Sequence, residues 1–340
     1  MDKPRLTIAI PTYNRAGPLE HTLRVILPQM ENEPQVCLLI IDNHSELSAS
    51  RVLESLDHTV SPDRIRSVRN AVNIGGNANI MRCFELCETK WLWVLGDDDA
   101  PSHDAVSTIL NDACVDHCFA FYTVPQIGKP IFVRDEESVI CGNDFRELIS
   151  YFGSSPLEIA FLSAAIFNME HIRPHIIDGY LSANTGLPHL MMVFKALVQG
   201  HQWMLSKKVI ADYCPPEAAK AWGFMTFAYT TSSLLGLTSS CSDVNVIRDI
   251  MIKGWRPSPK KILYSLVSKY TDSSNSTIEL RYLFKTIRNL YIPAWREDSM
   301  LRLRWYITSI WAYFPRVFAV KYKKKKEGKA RINLDNEERR

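Results

Sequence analysis

The chain has 340 residues, 46% of them apolar, with 40 Lys and Arg against 37 Asp and Glu and a net charge of +3. That is enough apolar material for a sizeable core and about two domains, which excludes a disordered chain. The near-neutral balance excludes a whole-chain signature of nucleic-acid binding, so no nucleic acid is expected as a partner. No stretch reaches the roughly 18 apolar residues of a membrane span, and the run near the start is too short for a signal peptide. A cytoplasmic protein without a transmembrane segment is therefore expected. The eight cysteines agree. Cys83 and Cys87, and Cys114 and Cys118, share a CxxxC spacing without a second ligand pair, which favours reduced, buried thiols over a zinc site even with His117 beside Cys118.

In chain order, RLTIAI reads as a short buried strand, PTYNRAGP as a turn, and LEHTLRVILPQM as a helix with Leu19, Leu23, Ile26 and Leu27 in helical period. A strand VCLLIID, a helix SASRVLESL, a strand RIRSVRN, a helix NANIMRCFELCE, a strand KWLWVLG, a helix HDAVSTILNDA and a strand CFAFYTV follow. Alternating strands and helices, the strands apolar almost throughout, predict an α/β fold: a mainly parallel sheet covered on both faces. Ligands of such sheets sit beyond the carboxyl ends of the strands. Four polar loops fall there: PTYNR (11–15), DNHS (42–45), NAVNIGGNAN (70–79) and GDDD (96–99). Each alone suits a turn or a helix cap; together they outline one edge. The three adjacent acids Asp97, Asp98 and Asp99 repel one another there, and that repulsion calls for a positive partner.

LTIAIPTYNR, LLIIDNHS and NAVNIGGNANIMRCFELCETKWLWVLGDDDAP, in this order and spacing over about residues 5–125, resemble the nucleotide-binding half of family 2 glycosyltransferases of GT-A type. The resemblance implies a GT-A fold over residues 1–213, with a nucleotide-binding half (5–125) and an acceptor half (126–213). It implies a nucleotide-diphosphate sugar as donor and a divalent cation, Mn²⁺ or Mg²⁺, as cofactor. On this reading Pro11, Thr12, Tyr13, Asn14 and Arg15 line base and ribose. Asp42, with Asn43, accepts hydrogen bonds from the base, since a carboxylate suits an amino or imino edge. Asn73 and the Gly75-Gly76 pair let backbone approach the ligand closely, with Asn79 or Arg82 nearby. Arg82 or Arg15 reaches phosphate, against the alternative of a solvated arginine.

The acids then belong to a hard cation that favours carboxylate oxygens and shares phosphate with the donor. Asp99 ranks first as metal ligand and Asp98 second, with Asp97 contacting ribose or metal. The family commonly shows Asp-x-Asp-Asp. Without a gap Gly96 takes the place of the first aspartate; with a shift of one loop residue Asp97 and Asp99 form the Asp-x-Asp. An inverting transfer also needs a base that deprotonates the acceptor hydroxyl. The resemblance places it just before a helix in the second half, where this chain has Pro188-His189 instead of an acidic pair. His189 is the first candidate, with Asp178 and Glu158 as competitors. PLEIAFLSAAIFNMEHI is expected to be a buried strand facing the acceptor, in which Ser163 either lines the site or packs as a core hydroxyl. GHQWMLSKKVI is expected to be the strand that closes the domain.

Residues 214–322 show helical patterns broken by PP, RPSP and TDSSNS, which predicts a largely helical region, followed by a basic, disordered tail at 323–340. Before that tail, MLRLRWYITSIWAYFPRVFAVKYKKKK places aromatic residues beside Arg302, Arg304, Arg316, Lys321 and Lys323 to Lys326. This suits an anionic membrane surface and peripheral attachment at the cytoplasmic face of the inner membrane; the alternative is that the aromatics are core and the lysines a solvated tail. Membrane attachment fits a saccharide or lipid-linked saccharide acceptor in cell-surface polysaccharide synthesis. The rival readings are a sugar nucleotidyltransferase and a non-catalytic GT-A scaffold or binding protein.

Overall fold

A computed structural model of the chain describes residues 5–113, 116–124, 139–152, 158–183, 187–214, 299–311 and 313, together with 259–260, 263, 267, 284 and 288. The chain divides into two compact units, with residues 5–214 of this set in the first and 259–313 in the second.

In the first unit the early apolar runs become β1 (Leu6–Thr12), β2 (Val36–Asp42), β3 (Ile65–Arg69) and β4 (Trp91–Val94). β2 pairs with β1 and β3, and β1 with β4, all in parallel. The crossovers are helices α1 (Ala16–Glu31), α2 (Ala49–Glu54) and α3 (Gly76–Leu86). Alternation along the strands sorts side chains between the two faces. Leu6, Ile8 and Ile10 of β1 share one core with Leu19, Leu23, Ile26 and Leu27 of α1. From the other side α3 packs on β1 and β2, and its Phe84 meets Phe167 edge-on at 5.0 Å. Four strands running the same way bring their carboxyl ends, and the four polar loops, to one edge of the sheet.

The second half of the sheet is mixed. After β5 (Ala100–Pro101) and α4 (Ala105–Asp112) come β6 (Phe119–Tyr122), β7 (Val139–Gly142) and α5 (Phe145–Tyr151). Then follow β8 (Ala165–Asn168), α6 (Met169–Ile172), α7 (Ile176–Leu181), α8 (Pro188–Val198), β9 (Trp203–Ser206) and β10 (Ala211–Asp212). The sheet order is β3-β2-β1-β4-β8-β6-β9-β7. β8 runs antiparallel to both its neighbours, and β7 antiparallel to β9. The stretch expected as one buried strand is instead two 3-10 turns, Glu158–Ala160 and Leu162–Ala164, then the short β8 and α6. Asn168 ends the strand because its side chain accepts from the Glu170 N–H and starts a helix. β10 pairs antiparallel with β5, which brings residues 211 and 212 beside the segment that follows the acids.

In the second unit, helix α9 (Ser299–Trp311) buries Trp305, whose ring lies 5.5 Å from Phe284. Most of the expected helical region, and the whole tail at 323–340, lie outside the described residues.

Candidate functional site

The loops after β1 and β2 are tied together by strained backbone. Asn14 and His44 adopt left-handed φ of 52° and 70°, a conformation costly for residues with a Cβ and concentrated at functional sites. The Asn14 side chain repays part of it by accepting from the Glu46 N–H at 2.8 Å, while the Asn14 N–H donates to Ser45 Oγ at 3.0 Å. Asp42, 1% exposed, accepts from the Ser45 N–H at 2.8 Å, the Ala49 N–H at 3.2 Å and Arg69 Nη1 at 2.8 Å. Burial alone would raise its pKa; the bonds from Ser45 and Ala49 and the Arg69 charge outweigh that and hold the carboxyl below its usual value. The aspartate expected to read a base therefore first organises the loop and the start of α2.

A net of side-chain amides joins the loops after β2 and β3. Asn43 Oδ1 accepts from the Asn70 side chain at 3.0 Å and from the Ile74 N–H at 3.0 Å, and Asn43 Nδ2 donates to Asn73 Oδ1 at 2.8 Å. Asn79 Oδ1 accepts from Asn70 at 2.8 Å, and Asn79 Nδ2 donates to the Ile41 carbonyl at 3.0 Å. Asn43 and Asn79, at 2% and 3% exposure, are thus wall rather than lining. Asn73 stays exposed and accepts from the Gly75 N–H at 2.9 Å. Gly75 has φ +86° with nothing near its missing Cβ, so the requirement for glycine there is conformational.

β4 delivers the acids. The Leu95 N–H still bonds the Ala9 carbonyl at 2.9 Å, and the chain then turns, with the Asp99 N–H on the Gly96 carbonyl at 3.4 Å. Asp97 and Asp99 point inward and are 5% and 8% exposed. Asp97 accepts from Thr12 Oγ1 at 2.7 Å and from Arg15 Nη1 at 3.1 Å. Its backbone carbonyl accepts from Thr22 Oγ1 at 3.2 Å. Asp98 faces outward, and the same Arg15 guanidinium pairs with it. Asp99 Oδ2 accepts from Ser163 Oγ at 2.5 Å, and Ser163 Oγ in turn accepts from the Gly96 N–H at 2.8 Å. The Trp93 indole fixes that turn by donating to the Ser163 carbonyl at 2.9 Å. Gly96 has no room for a side chain, since a Cβ there would sit 2.5 Å from Asp99 Oδ2. An aspartate in its place would collide with the neighbouring acid.

Burial pushes Asp97 up to about 6, against the pull of the Thr12 hydroxyl and Arg15 and with Asp98 adding repulsion. It pushes Asp99 up to about 7; Ser163 and the Cys214 N–H lower it, while Asp98 and Asp97 raise it. Arg15 meets the charge of Asp97 and Asp98, and Asp99 has no basic partner among the described residues. A hard divalent ion fits this set: the donors are all oxygens, and an added charge removes the cost of ionising a buried carboxyl. No group of three or more His, Cys, Asp or Glu forms a cage among the described residues. A cation here would draw most of its shell from phosphate and water, as Mg²⁺ and Mn²⁺ do.

The structure brings Pro11 to Arg15, Asp42, Asn43, Asn73, Gly75, Asn79 and Asp97 to Asp99 to one edge of the sheet, and sets other expected residues elsewhere. Arg82 lies seven residues past Gly75, about 10 Å along α3, and pairs with Glu85 at 3.2 Å. Asp178 faces His175 at 3.6 Å and Lys195 at 3.7 Å. His189 is 2% exposed on a helix buried from Pro188 to Leu197, with its ring 6.5 Å from Phe167. Burial pushes it down to about 3, which makes it a weak proton acceptor at neutral pH. The backbone of Glu158 opens the 3-10 turn five residues before Ser163. The ties of Ser163, Thr22 and Cys214 to the acids are absent from the motif reading. Each spans a long sequence separation and no local pattern signals it.

The family description "Glycosyl transferase family 2" matches residues 7–164. The abequosyltransferase RfbV of Salmonella typhimurium is 28% identical over 104 residues, 31% of each chain. An uncharacterized glycosyltransferase, MG060, of Mycoplasma genitalium is 27% identical over 104 residues, 30% of this chain and 35% of that one. The chain thus matches about a third of the length of these curated relatives. Among solved structures, S. aureus TarS 1–349 in complex with UDP-GlcNAc superposes with a TM-score of 0.57 at 13% identity, covering 94% of this chain and 92% of that one. The mannosyltransferase PcManGT from Pyrobaculum calidifontis, in complex with GDP-Man and Mn²⁺, gives 0.50 at 13% identity over 92% and 88%. At such identities these two likenesses establish the GT-A fold.

Proposed function

We propose that the chain moves a sugar from a nucleotide-diphosphate sugar to a hydroxyl of a saccharide acceptor, a reading supported by the match of residues 7–164 to the description "Glycosyl transferase family 2". The carrying observation is Asp99: a carboxyl 8% exposed, held up near 7, at the strand edge where such sheets bind ligands. Two neighbours of the same fold hold nucleotide sugars, UDP-GlcNAc in one and GDP-Man with Mn²⁺ in the other. Asp99, with Asp98, would hold the divalent cation, which when bound supplies positive charge to a departing diphosphate.

The chain's own groups do the rest. Arg15, 46% exposed at its side chain and already fixed by Asp97 and Asp98, presents a guanidinium toward phosphate without a large entropic cost. Tyr13, 43% exposed, offers a ring face to base or ribose. Asp42 and the Asn43–Asn70–Asn79 net hold that wall rigid, which preorganises the donor. For the base we assign Glu158, since its turn leads directly to Ser163 and Asp99, while His189 is neutral and enclosed and Asp178 is engaged with His175 and Lys195. A carboxylate there takes the acceptor proton as the hydroxyl attacks the anomeric carbon, and the reaction inverts that centre. The acceptor is a lipid-linked saccharide of cell-surface polysaccharide synthesis, a choice supported by the resemblance and by the aromatic and basic C-terminal sequence.

A thermal-shift panel of UDP, CDP, GDP and dTDP with and without Mn²⁺ tests the donor site. One nucleotide should raise the melting temperature by about 5 °C, and only with the metal present. Glu158→Gln should keep that shift and lose transfer. No response to any nucleotide in either condition removes the proposal.

A further inference from the structure

Helix α9 carries apolar side chains on two opposite faces. One face is enclosed: Trp305 and Thr308 have no exposure, and Trp305 packs on Phe284. On the other, Met300, Leu303, Tyr306, Ile307 and Ile310 are between 46% and 62% exposed, and Tyr313 just past the helix is 60% exposed. At about 100° per residue these positions fall in one band centred opposite Trp305. Cations border the band on both sides. Arg302 lies along one border by helical position, and the Arg288 guanidinium sits 5.6 Å over the Tyr306 ring and donates to Ser309 Oγ at 3.4 Å. Exposed Arg304 lies along the other.

Single exposed leucines need no account, but a continuous band with basic borders does. We propose that this face docks on an anionic lipid surface, with the helix lying flat, the band in the acyl boundary and Arg288, Arg302 and Arg304 at phosphate level. Charge selects the occupant. A second copy of the chain set face to face would bring arginine borders against arginine borders, whereas lipid phosphate complements both. The helix is about 20 Å long, shorter than the roughly 30 Å hydrocarbon core. Among the described residues no helix is long and apolar enough to cross a membrane. Tyr306 and Tyr313 suit the interface, having an apolar ring and a polar tip. In the sequence the acids Glu297 and Asp298 precede the helix, and Arg316, Lys321 and Lys323 to Lys326 follow it.

This inference is independent of the donor site and is tested without substrate. The full chain is sedimented with phosphatidylcholine vesicles, with and without phosphatidylglycerol. Binding should be stronger on the anionic vesicles by on the order of tenfold or more and fall with salt. Leu303→Glu/Ile310→Glu, at two exposed positions, should lose at least tenfold of that binding. It should keep its melting temperature and its stabilisation by nucleoside diphosphate with Mn²⁺. Arg302→Gln/Arg304→Gln should lose roughly tenfold of the preference for phosphatidylglycerol; this milder pair decides the matter if the first variant fails to fold. Wild-type protein that ignores anionic vesicles, or variants that bind as wild type does, overturns the proposal. So does a wild-type dimer that Leu303→Glu/Ile310→Glu converts to monomer with vesicle binding unmoved.

Discussion

The ends of β2 and β4 carry acids of the same type at similarly low exposure, and the fold treats them in opposite ways. Asp42 receives two backbone N–H groups and a guanidinium, and its pKa falls below the usual value at 1% exposure. Asp97 and Asp99, at 5% and 8%, rise to about 6 and about 7. Desolvation by burial is the largest cause at Asp97 and Asp99, whereas at Asp42 the bonds from Ser45 and Ala49 and the Arg69 charge outweigh it. Asp42, with its full set of donors, is a stable anion; Asp97 has Arg15 beside its hydroxyl donor, and Asp99, with a hydroxyl and a single N–H, is left wanting positive charge. Asp42 therefore belongs to the architecture of the edge, whereas Asp99 holds an unmet electrostatic demand at the carboxyl end of β4.

The largest test of that contrast is Asp99→Asn. It should lower the rate of sugar transfer by about 10²- to 10³-fold and leave the fold intact, and in the ligand-free protein at pH 8 it should raise the melting temperature, because a costly buried charge is gone. Initial rates with labelled donor measure the first effect. A variant retaining more than a tenth of the wild-type rate breaks the contrast. Asp42→Ala should do the reverse on stability. It strands Arg69 and two N–H groups, at a cost of about 2–3 kcal/mol once the 40% exposure of Arg69 is allowed for. Urea unfolding reads it out. An unchanged midpoint would return Asp42 to the ligand-reading role that the motif suggests.

The edge itself was legible in the sequence because apolar runs alternating with helical periodicity leave few topologies for the chain. PTYNR, DNHS, the Asn73–Gly75 turn and GDDD do share it. Periodicity cannot say which polar group satisfies which. Asn43 and Asn79 read as ligand contacts but close on Asn70, and Asp42 closes on Arg69, 27 residues away. Ser163 reaches Asp99 across 64 residues. β8 is four residues inside a long apolar run, so neither its antiparallel direction nor the turns before it leave a pattern to read. His189 follows a proline at a helix start, where a polar residue is usually solvated. The helix that starts there is buried on all sides from Pro188 to Leu197, and this encloses the ring.

The smallest expected effect separates Ser163 as a positioning group from Ser163 as filler. Asp97 and Asp99 are held above their ordinary value of 3.8. As pH rises the unfolded chain loses these protons first, so the ligand-free protein should lose stability from about pH 4 to about pH 7 and then level off. Cation binding runs the other way: it needs Asp99 ionised, so Mn²⁺ affinity in the presence of the preferred nucleoside diphosphate should climb with pH and level above about 7. Ser163 Oγ–H stabilises the ionised form by donating to Asp99 Oδ2. Ser163→Ala should therefore move the midpoint of that affinity profile to higher pH by about half a unit to one unit, and Ser163→Thr, which keeps the hydroxyl, should restore it. Melting temperature across pH and paramagnetic titration of Mn²⁺ supply the two profiles. If alanine and threonine give the same midpoint as serine, the hydroxyl does not tune Asp99, and the demand for charge at the end of β4 is set by burial and the neighbouring acids alone.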